Sequence, residues 1–407
     1  MKPIKILLAH NRYLTPGGER QVFEAELELL RNNGHEVAVY IEDNARVAEL
    51  GRARTAVRTI WSTETYQQVK ALLDMGQFDL VHIHNFYPLI SPSIYYAAQV
   101  ANVPVVQTLH NFRLLCLNGN LFRGGAVCES CLGHTVPWPG IQHACYKDSR
   151  VGSAFVAAML SLHRTARTWQ RKVNTYIALS EFSRQKLIEG GLPGEKITIK
   201  PNFVPEDPGM GNGKGSYALY VGRLSSEKGI ATLLDAWQKL SGTIPLKIVG
   251  DGPLRDQAIA AAAVLPAVEY LGRLENDQVL SLMREAMMLV FPSMCYENFP
   301  MTIVEAFAAG LPIIASNMGN AASLVEEQLT GMHFNPGDAT DLARQATWLT
   351  QHAEERQQMS IAARKKYEQQ YTPSQNYRLL STIYADTLAK AQVGRTENGE
   401  YKHPTGS

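Results

Sequence analysis

The chain has 407 residues, a hydrophobic fraction of 45% and a formal net charge of +1. This length predicts two to three domains, and the near-zero charge gives no electrostatic reason to expect nucleic acid as a partner. No run of eighteen apolar residues occurs, so a membrane-spanning helix is not expected. The first apolar stretch is short and predicts a β-strand rather than a signal peptide, from which we expect a cytoplasmic protein.

Apolar strands alternate with helices along the chain, which is typical of parallel sheets with crossover helices. Strands are predicted at Ile4–Ala9, Glu36–Ile41, Leu80–His84, Val105–Leu109 and Thr175–Leu179, then at Ala218–Val221, Leu246–Val249, Val268–Leu271, Met288–Phe291, Pro312–Ala315 and Met332–Phe334. Helices in the first half are predicted at Glu19–Asn33, Thr63–Asp74, Pro92–Ala101, Val151–Lys172 and Glu181–Glu189. The pattern therefore predicts two Rossmann-like halves.

The segment between the halves is rich in proline over Ile199–Pro205 and in glycine over Gly209–Gly215, as is typical of a linker. The last residues are polar and lack apolar periodicity, which predicts disorder. The predicted parts are an N-terminal domain at 1–202 with a cysteine-containing insert at 113–148, a C-terminal domain at 203–373, a final helix at 374–392 and a disordered tail at 393–407.

Two carboxylates stand eight positions apart in the C-terminal half. Glu297 lies in a predicted loop before Pro300, and Glu305 lies on a short helix that ends at Gly310. Eight helical residues would separate the two acids by about 12 Å, whereas a retaining glycosidase needs its two carboxyl groups about 5 Å apart. The spacing instead suits recognition of hydroxyl groups at two places on an extended ligand. Two solvent-facing acids are the alternative.

Glycine turns between strands and helices occur upstream of these acids. Gly222 and Arg223 follow a strand, and Lys228 precedes the next helix. A helix start with adjacent cations is typical of a diphosphate site. Gly250 and Asp251 follow the next strand in the same way. A solvated helix entry remains the alternative for the two cations.

At these residues the chain resembles the retaining glycosyltransferases of family 4, which have the GT-B fold. The resemblance implies an α/β protein with two Rossmann-like domains facing a central cleft, the first binding the acceptor and the second the nucleotide-sugar. It also implies that the final helix crosses back to the first domain. The matching segments are Gly222–Leu224, Lys228–Gly229, Gly250–Leu254, Glu297–Glu305 and Ala308–Pro312, together with Pro16–Gly18 and Asn33–Val37.

The resemblance assigns a role to each matching residue. It implies that Arg223 and Lys228 bind the diphosphate, that Glu305 binds the ribose hydroxyls, and that Glu297 lies near the donor sugar. It implies that His110 faces the donor sugar, although a histidine at a strand end is often structural; His84 ends the neighbouring strand. The other implied donor-binding residues are Gly17, Gly18, Gly250, Asp251, Asn298 and Phe299.

The chemistry that the resemblance implies is transfer with retention, in which the leaving phosphate helps to deprotonate the acceptor. No catalytic metal is expected. The implied donor is a nucleotide-diphosphate-sugar, with a UDP-sugar preferred and a GDP-sugar next. The implied acceptor is a glycan or a lipid-linked molecule in surface polysaccharide assembly.

Four cysteines fall within thirty residues, at Cys116, Cys128, Cys131 and Cys145. Four thiolates could hold a tetrahedral structural zinc in a loop with little core of its own, with His134 and His143 as alternative ligands. Unliganded thiols are the alternative, and disulfides are disfavoured in a reducing compartment. The resembled family does not require this insert.

The predicted helix at Val151–Lys172 combines apolar and basic faces, a pattern compatible with an anionic membrane surface. Core packing on one face and solvated charge on the other is the alternative. Trp138 and Trp169 support the membrane interpretation, which would place the protein at the inner face of the membrane as a peripheral protein.

Other functions remain open at the level of sequence. A sugar-nucleotide epimerase and a non-catalytic sugar-nucleotide-binding protein are compatible with the same fold. A dehydrogenase is less compatible, because no G-x-G-x-x-G follows the first strand.

Overall fold

The computed structural model describes residues 2–14, 17–213 and 215–399, with side chains as far as Val393. The strands in chain order are β1 (Lys5–Arg12), β2 (Glu36–Asp43), β3 (Leu80–Asn85), β4 (Val105–Thr108), β5 (Phe122–Arg123), β6 (Ala126–Val127), β7 (Thr175–Ala178), β8 (Ile197–Ile199), β9 (Ala218–Val221), β10 (Leu246–Val249), β11 (Val268–Gly272), β12 (Met288–Phe291), β13 (Ile313–Ser316) and β14 (Gly331–Phe334). The helices are α1 (Gly18–Asn32), α2 (Arg46–Ile60), α3 (Thr63–Gly76), α4 (Ser93–Val100), α5 (Trp138–Gln142), α6 (Arg150–Thr165), α7 (Thr168–Arg171), α8 (Glu181–Glu189), α9 (Ile230–Leu240), α10 (Arg255–Val264), α11 (Asn276–Glu285), α12 (Met301–Ala308), α13 (Gly319–Leu324), α14 (Ala339–Gln351), α15 (Ala353–Gln370) and α16 (Pro373–Gly399).

The chain forms two compact units. Unit 1 comprises residues 1–119, 130–201 and 376–407, and unit 2 comprises residues 120–129 and 202–375. The chain thus passes from unit 1 to unit 2 after Pro201 and returns at Asn376. Each unit contains a six-stranded parallel sheet with helices, so the prediction of two Rossmann-like domains is confirmed.

The sheet of unit 1 has the order β2-β1-β3-β4-β7-β8, with all pairs parallel. Its inner strands β1, β3, β4 and β7 are almost continuously buried, because a parallel sheet is covered by helices on its faces. Phe23 and Leu30 of α1 pack on one face of this sheet, and Leu380 and Tyr384 of α16 join the same core. The final helix is therefore an integral part of unit 1.

The sheet of unit 2 has the order β11-β10-β9-β12-β13-β14, again parallel throughout. Successive side chains of a strand point to opposite faces. Leu219 and Leu289 accordingly enter one core with α11, α12 and α15, whereas Tyr220 and Val290 enter a second core with α9 and α14. This arrangement fixes the carboxyl ends of β9, β10 and β12 side by side.

The predicted helix at Val151–Lys172 is divided in the structure, because Arg167 adopts a left-handed conformation with φ 55° between α6 and α7. The turn lets Trp169 enter the core, where it is 2% exposed and packs against His163. Thr168 stabilises the turn through its Oγ1, which lies 2.9 Å from Nδ1 of His163. The sequence pattern predicted one continuous helix, but burial of the Trp169 ring breaks it at Arg167.

Three other predictions on chain organisation need correction. α2 and β8 were not predicted. The final helix extends to Gly399 rather than 392, because no proline interrupts residues 393–399 and Gly394 weakens a helix without ending it; the rest of the predicted disordered tail, residues 400–407, lies outside the described residues. The insert is not entirely part of unit 1, since residues 120–129 with the β5–β6 ribbon group with unit 2. Such a short ribbon has little core of its own, so its sequence does not fix its location.

Within the described part of the chain, no helix is long and apolar enough to cross a membrane.

Candidate active site

Three loops meet at the carboxyl edge of the unit 2 sheet, where open α/β sheets bind ligands. They follow β9, β10 and β12, and glycines let their backbones touch. A Cβ added to Gly250 (φ +140°) would lie 1.8 Å from the carbonyl oxygen of Gly222, and one added to Gly229 (φ +72°) would lie 1.8 Å from that of Pro292. Only glycine fits such contacts, so the glycine turns noted in the sequence bring the loops together.

Lys228 and Glu297 form an ion pair at this edge. The Lys228 ammonium lies 2.5 Å from Oε1 of Glu297, and the Ser293 hydroxyl donates to the same oxygen at 2.7 Å. Burial opposes the charged form of Lys228, but the Glu297 carboxylate outweighs this effect and raises the pKa of the lysine. The site thus holds a fixed ammonium and a fixed carboxylate in direct contact.

Asn320 holds the Glu297 loop in place and was not predicted from the sequence. Its side-chain amide donates to the carbonyl oxygen of Glu297 and, at 2.7 Å, to that of Asn298. Asn320 lies at the start of α13, just past the carboxyl end of β13. The Gly319-Asn320 pair after a strand was the available sequence signal, and by itself it names no partner.

Glu305 is half-buried in α12, and burial raises the pKa of its carboxyl group to about 7. Among the described residues the structure gives this carboxyl group no hydrogen-bonding or ionic partner. An acid in such a position is available to accept hydrogen bonds from a ligand.

The remaining predicted residues of unit 2 differ in their surroundings. The Arg223 side chain is exposed, and its backbone carbonyl accepts a hydrogen bond from the Tyr220 hydroxyl at 2.9 Å. Asp251 accepts from the backbone N–H of Gly252 at 2.8 Å, within its own loop. Phe299 packs its ring against the core at 6.2 Å from the Tyr371 ring. The Arg223 side chain is therefore open to solvent, whereas the Phe299 side chain packs in the core.

In unit 1, His110 lies just past the carboxyl end of β4, beside His84 at the carboxyl end of β3. Nε2 of His110 and Nδ1 of His84 are 3.0 Å apart, and the two rings stack. Burial keeps the pKa of His110 well below its ordinary value. The predicted active-site residue His110 is therefore neutral and hydrogen-bonded to His84.

The predicted glycines of unit 1 lie at the start of α1, after β1. Gly17 is in extended backbone before the helix, and an added Cβ would meet nothing within 4 Å. Gly18 is the first residue of the helix. Nearby, Nε2 of His10 lies 3.2 Å from Oε1 of Glu19. Pro16 lies outside the described residues.

The four cysteines of the insert are not in disulfides. Cys116 and Cys131 are buried, and Cys128 and Cys145 are half-buried. Zinc binding by these thiols stays a prediction. The fifth cysteine, Cys295, is buried, and its surroundings raise the pKa of its thiol to about 12, first through burial and then through Glu297. A buried thiol with a raised pKa is unreactive, so Cys295 has a packing role.

Comparisons with known proteins agree with this architecture. The family model for Glycosyltransferase Family 4 matches residues 16–207, and that for Glycosyl transferases group 1 matches residues 210–366. A phosphatidyl-myo-inositol mannosyltransferase of Mycobacterium leprae is 24% identical over 93% of this chain and 96% of its own length. A glycogen synthase of Mycobacterium tuberculosis is 28% identical over 65% of this chain, which spans 66% of that relative's length.

Solved structures share the fold. A glycosyltransferase from Rickettsia africae matches with a TM-score of 0.69 and 17% identity, covering 95% of this chain and 99% of that one. Anabaena HepE in complex with UDP matches with a TM-score of 0.66 and 17% identity, covering 94% and 100%. With the two family models matched in succession along both halves, the chain belongs to the family 4 glycosyltransferases with a GT-B fold.

Proposed function

We propose that the protein is a retaining glycosyltransferase that moves a sugar from a nucleotide-diphosphate-sugar to a glycan or a lipid-linked acceptor in surface polysaccharide or glycolipid assembly. The observation that carries the proposal is the carboxyl edge of unit 2, where Lys228 follows β9 and both Glu297 and Glu305 follow the neighbouring strand β12. An epimerase or a non-catalytic binding protein is not favoured by the glycosyltransferase relatives.

In this proposal Lys228 and the exposed Arg223 bind the diphosphate of the donor. Glycosyl transfer develops negative charge on this leaving group, and fixed cations stabilise that charge without reorganisation. The Glu305 carboxylate accepts hydrogen bonds from the ribose hydroxyls, and Glu297 accepts them from the donor sugar. The leaving phosphate takes the proton of the acceptor hydroxyl, and the new bond forms on the face that the leaving group vacates.

A UDP-sugar is the donor that we test first. Support comes from the fold neighbour HepE, which was solved with UDP and with UDP-glucose. For the acceptor, the mannosyltransferase named above provides a lipid precedent. Both are properties of those proteins, and their transfer to this chain is part of the proposal.

The test begins with melting temperature in the presence of UDP-, GDP- and ADP-sugars, because a ligand of the native state raises it. The donor so identified is then incubated with and without candidate acceptors. We expect nucleotide release that depends on the acceptor, and a product whose anomeric configuration, read by NMR, matches the donor. Sugar-nucleotide isomers formed without an acceptor would support the epimerase, and an inverted product would contradict retention.

Peripheral membrane association is a separate proposal, with narrower support than the sequence suggested. Trp169 is in the core, as are Met159 and Leu160 of α6, whereas Trp138 is 60% exposed and Leu162 is 56% exposed. Co-sedimentation with anionic and neutral vesicles tests it, with Trp138→Ser expected to weaken binding to anionic vesicles.

A further inference from the structure

A fully buried carboxylate lies under the active-site edge of unit 1. Glu26 of α1 is 0% exposed, and the ammonium of Lys200 lies 2.7 Å from its Oε2. Burial favours the neutral acid, but the Lys200 ammonium, together with a hydrogen bond from His84, outweighs burial and holds the pKa of Glu26 well below its ordinary value. The group is therefore a carboxylate, and it can only accept hydrogen bonds.

Two histidines of β3 face this carboxylate, and only one of them has a nitrogen available for it. His82 uses both ring nitrogens, with Nδ1 at 2.7 Å from the Tyr384 hydroxyl and Nε2 at 2.8 Å from Oγ1 of Thr108. Glu26, His82 and His84 are close enough together to suggest a metal site. These residues do not fit a metal ion, because both ring nitrogens of His82 already have hydrogen-bond partners and the Lys200 ammonium already neutralises the Glu26 carboxylate.

His84 connects Glu26 to His110. Its Nε2 lies 3.3 Å from Oε1 of Glu26, and neither atom has a hydrogen-bond partner elsewhere in the described part of the chain. A carboxylate needs a proton on that nitrogen. A neutral His84 then presents an acceptor at Nδ1, which lies 3.0 Å from Nε2 of His110, so His110 donates from Nε2.

Charge balance favours this neutral arrangement. Lys200 and Glu26 already cancel, and both are fully buried. An imidazolium at His84 or His110 would add an uncompensated charge in a low-dielectric environment. The unprotonated Nδ1 of His110 has no hydrogen-bond partner among the described residues, so it is left as an acceptor.

We propose that Glu26 and His84 are positioning residues that fix His110 as the tautomer with its proton on Nε2, so that Nδ1 accepts a hydrogen bond from a hydroxyl group of the bound substrate. This inference rests on the proposed placement of the donor sugar beside His110. It specifies the chemistry that His110 recognises, because an acceptor nitrogen selects a neutral hydroxyl and disfavours a phosphate or carboxylate at that position.

The experiment uses the full chain with ring-¹⁵N-labelled histidine, because protonated and unprotonated ring nitrogens have distinct ¹⁵N shifts. Signals of His110 and His84 are assigned by their loss in His110→Gln and His84→Gln. At pH 7.5 we expect both residues as single Nε2-protonated tautomers. In Glu26→Gln we expect mixed tautomers at both, while His163, whose two nitrogens have other partners, keeps its wild-type signals.

If Glu26→Gln does not fold, Glu26→Met with Lys200→Met removes the carboxylate and its counter-charge together, which buried pairs often tolerate. The same tautomer mixing is expected there. In Glu26→Gln and in the double variant, turnover should fall about tenfold or more. Nucleotide affinity should stay within about twofold of wild type, because the proposed nucleotide site lies in unit 2. A purely structural role would leave the tautomers unchanged.

An Nδ1-protonated or charged His110 in the wild type would overturn the proposal, as would unchanged tautomers in both variants. These results do not depend on turnover. If no donor and acceptor pair supports transfer, the proposed function fails while the NMR result still decides whether Glu26 and His84 set the tautomer.

Discussion

The Lys228 ammonium and the Glu297 carboxylate, which belong to loops 69 positions apart in sequence, are in direct contact at 2.5 Å. One residue is the proposed ligand of the diphosphate and the other the proposed ligand of the sugar. In the absence of donor, each therefore satisfies the other. Binding of a donor must separate the two side chains. Loss of the lysine should therefore weaken nucleotide binding, whereas loss of the carboxylate charge should strengthen it.

Lys228→Ala and Arg223→Ala should each lower turnover by about 10²–10³-fold, because each removes a fixed cation from the developing diphosphate charge. Lys239→Ala, which removes an exposed lysine of α9 in the same unit, is the matched control and should keep wild-type turnover. Steady-state kinetics with the identified donor provide the measurement. Near-normal turnover in both site variants would exclude the diphosphate site.

Glu297→Gln should bind free nucleotide diphosphate more tightly, by about two- to fivefold, because removal of the carboxylate frees the ammonium and ends repulsion of the phosphates. The same variant should transfer sugar more slowly, since it loses its contact with the donor sugar. Calorimetry with nucleotide diphosphate, beside turnover, separates the two effects. Weaker nucleotide binding in Glu297→Gln would contradict the pairing argument.

Nucleotide affinity should rise between pH 6 and pH 8, because burial places the pKa of Glu305 near 7 and only the carboxylate offers acceptors to both ribose hydroxyls. Glu305→Gln should bind more weakly at pH 8 and lose most of this pH dependence.

Since the folded-state pKa of Glu305 is raised, its protonated form favours folding at low pH, and this contribution to stability is lost as pH rises through about 7. Glu305→Gln should therefore also melt at a higher temperature than wild type at pH 8. Glu354→Gln, which changes an exposed acid of α15, is the control for calorimetry and melting. Equal nucleotide affinity of wild type and Glu305→Gln at pH 8 would refute the ribose assignment.

Lys200→Met should destabilise the fold by about 3–5 kcal/mol, because it leaves the Glu26 carboxylate buried without its counter-charge. The double variant with Glu26→Met should recover most of that loss. Urea unfolding measures both, and Lys5→Met, which breaks the more exposed pair with Glu36, should cost less than about 1 kcal/mol. Equal losses for Lys200→Met and Lys5→Met would show that the buried pair is not structurally important.

Stability should decrease as pH falls from 7.5 to 5.5. Burial keeps the pKa values of His82 and His110 well below 6.5 in the folded state, so their neutral forms stabilise the fold fully above about pH 6.5, and this stability is lost below it as the unfolded chain takes up protons. Each group adds a slope approaching about 1.4 kcal/mol per pH unit. Urea unfolding at several pH values tests this, and the exposed His143→Gln should leave the slope unchanged. Because the raised pKa of Glu305 gives a slope of opposite sign over the same range, the decisive comparison is made in Glu305→Gln, where constant stability would be inconsistent with two buried neutral histidines.

The cysteine insert should carry one zinc ion per chain if the sequence prediction is right. Elemental analysis of protein purified without chelator measures this directly. Cys128→Ser with Cys131→Ser should remove the metal, with Cys295→Ser as the control that keeps it. Negligible zinc together with four titratable thiols in the native protein would eliminate the site.

The sequence by itself determined the two Rossmann-like halves and every strand of the two sheets except β8. Apolar strands and glycine turns are local sequence signals. The elements they predict are found in the structure because each prediction depends only on the burial of the segment's own residues. Glu297 and Glu305 were identifiable as candidate site residues for the same reason, since both follow a strand and turn that the pattern predicts. The break at Arg167 was not identifiable, because burial of Trp169 decided it.

Only the tertiary structure decided which charged groups meet. Nothing near Lys228 in sequence names Glu297, and nothing near Glu26 names His84 or Lys200. Their partners are set by strand order, which brings the end of β9 beside the end of β12, and the end of β3 beside the end of β4 and under α1. Electrostatic partnership acts through space over a few ångströms, whereas sequence periodicity records only whether a residue faces the core or the solvent.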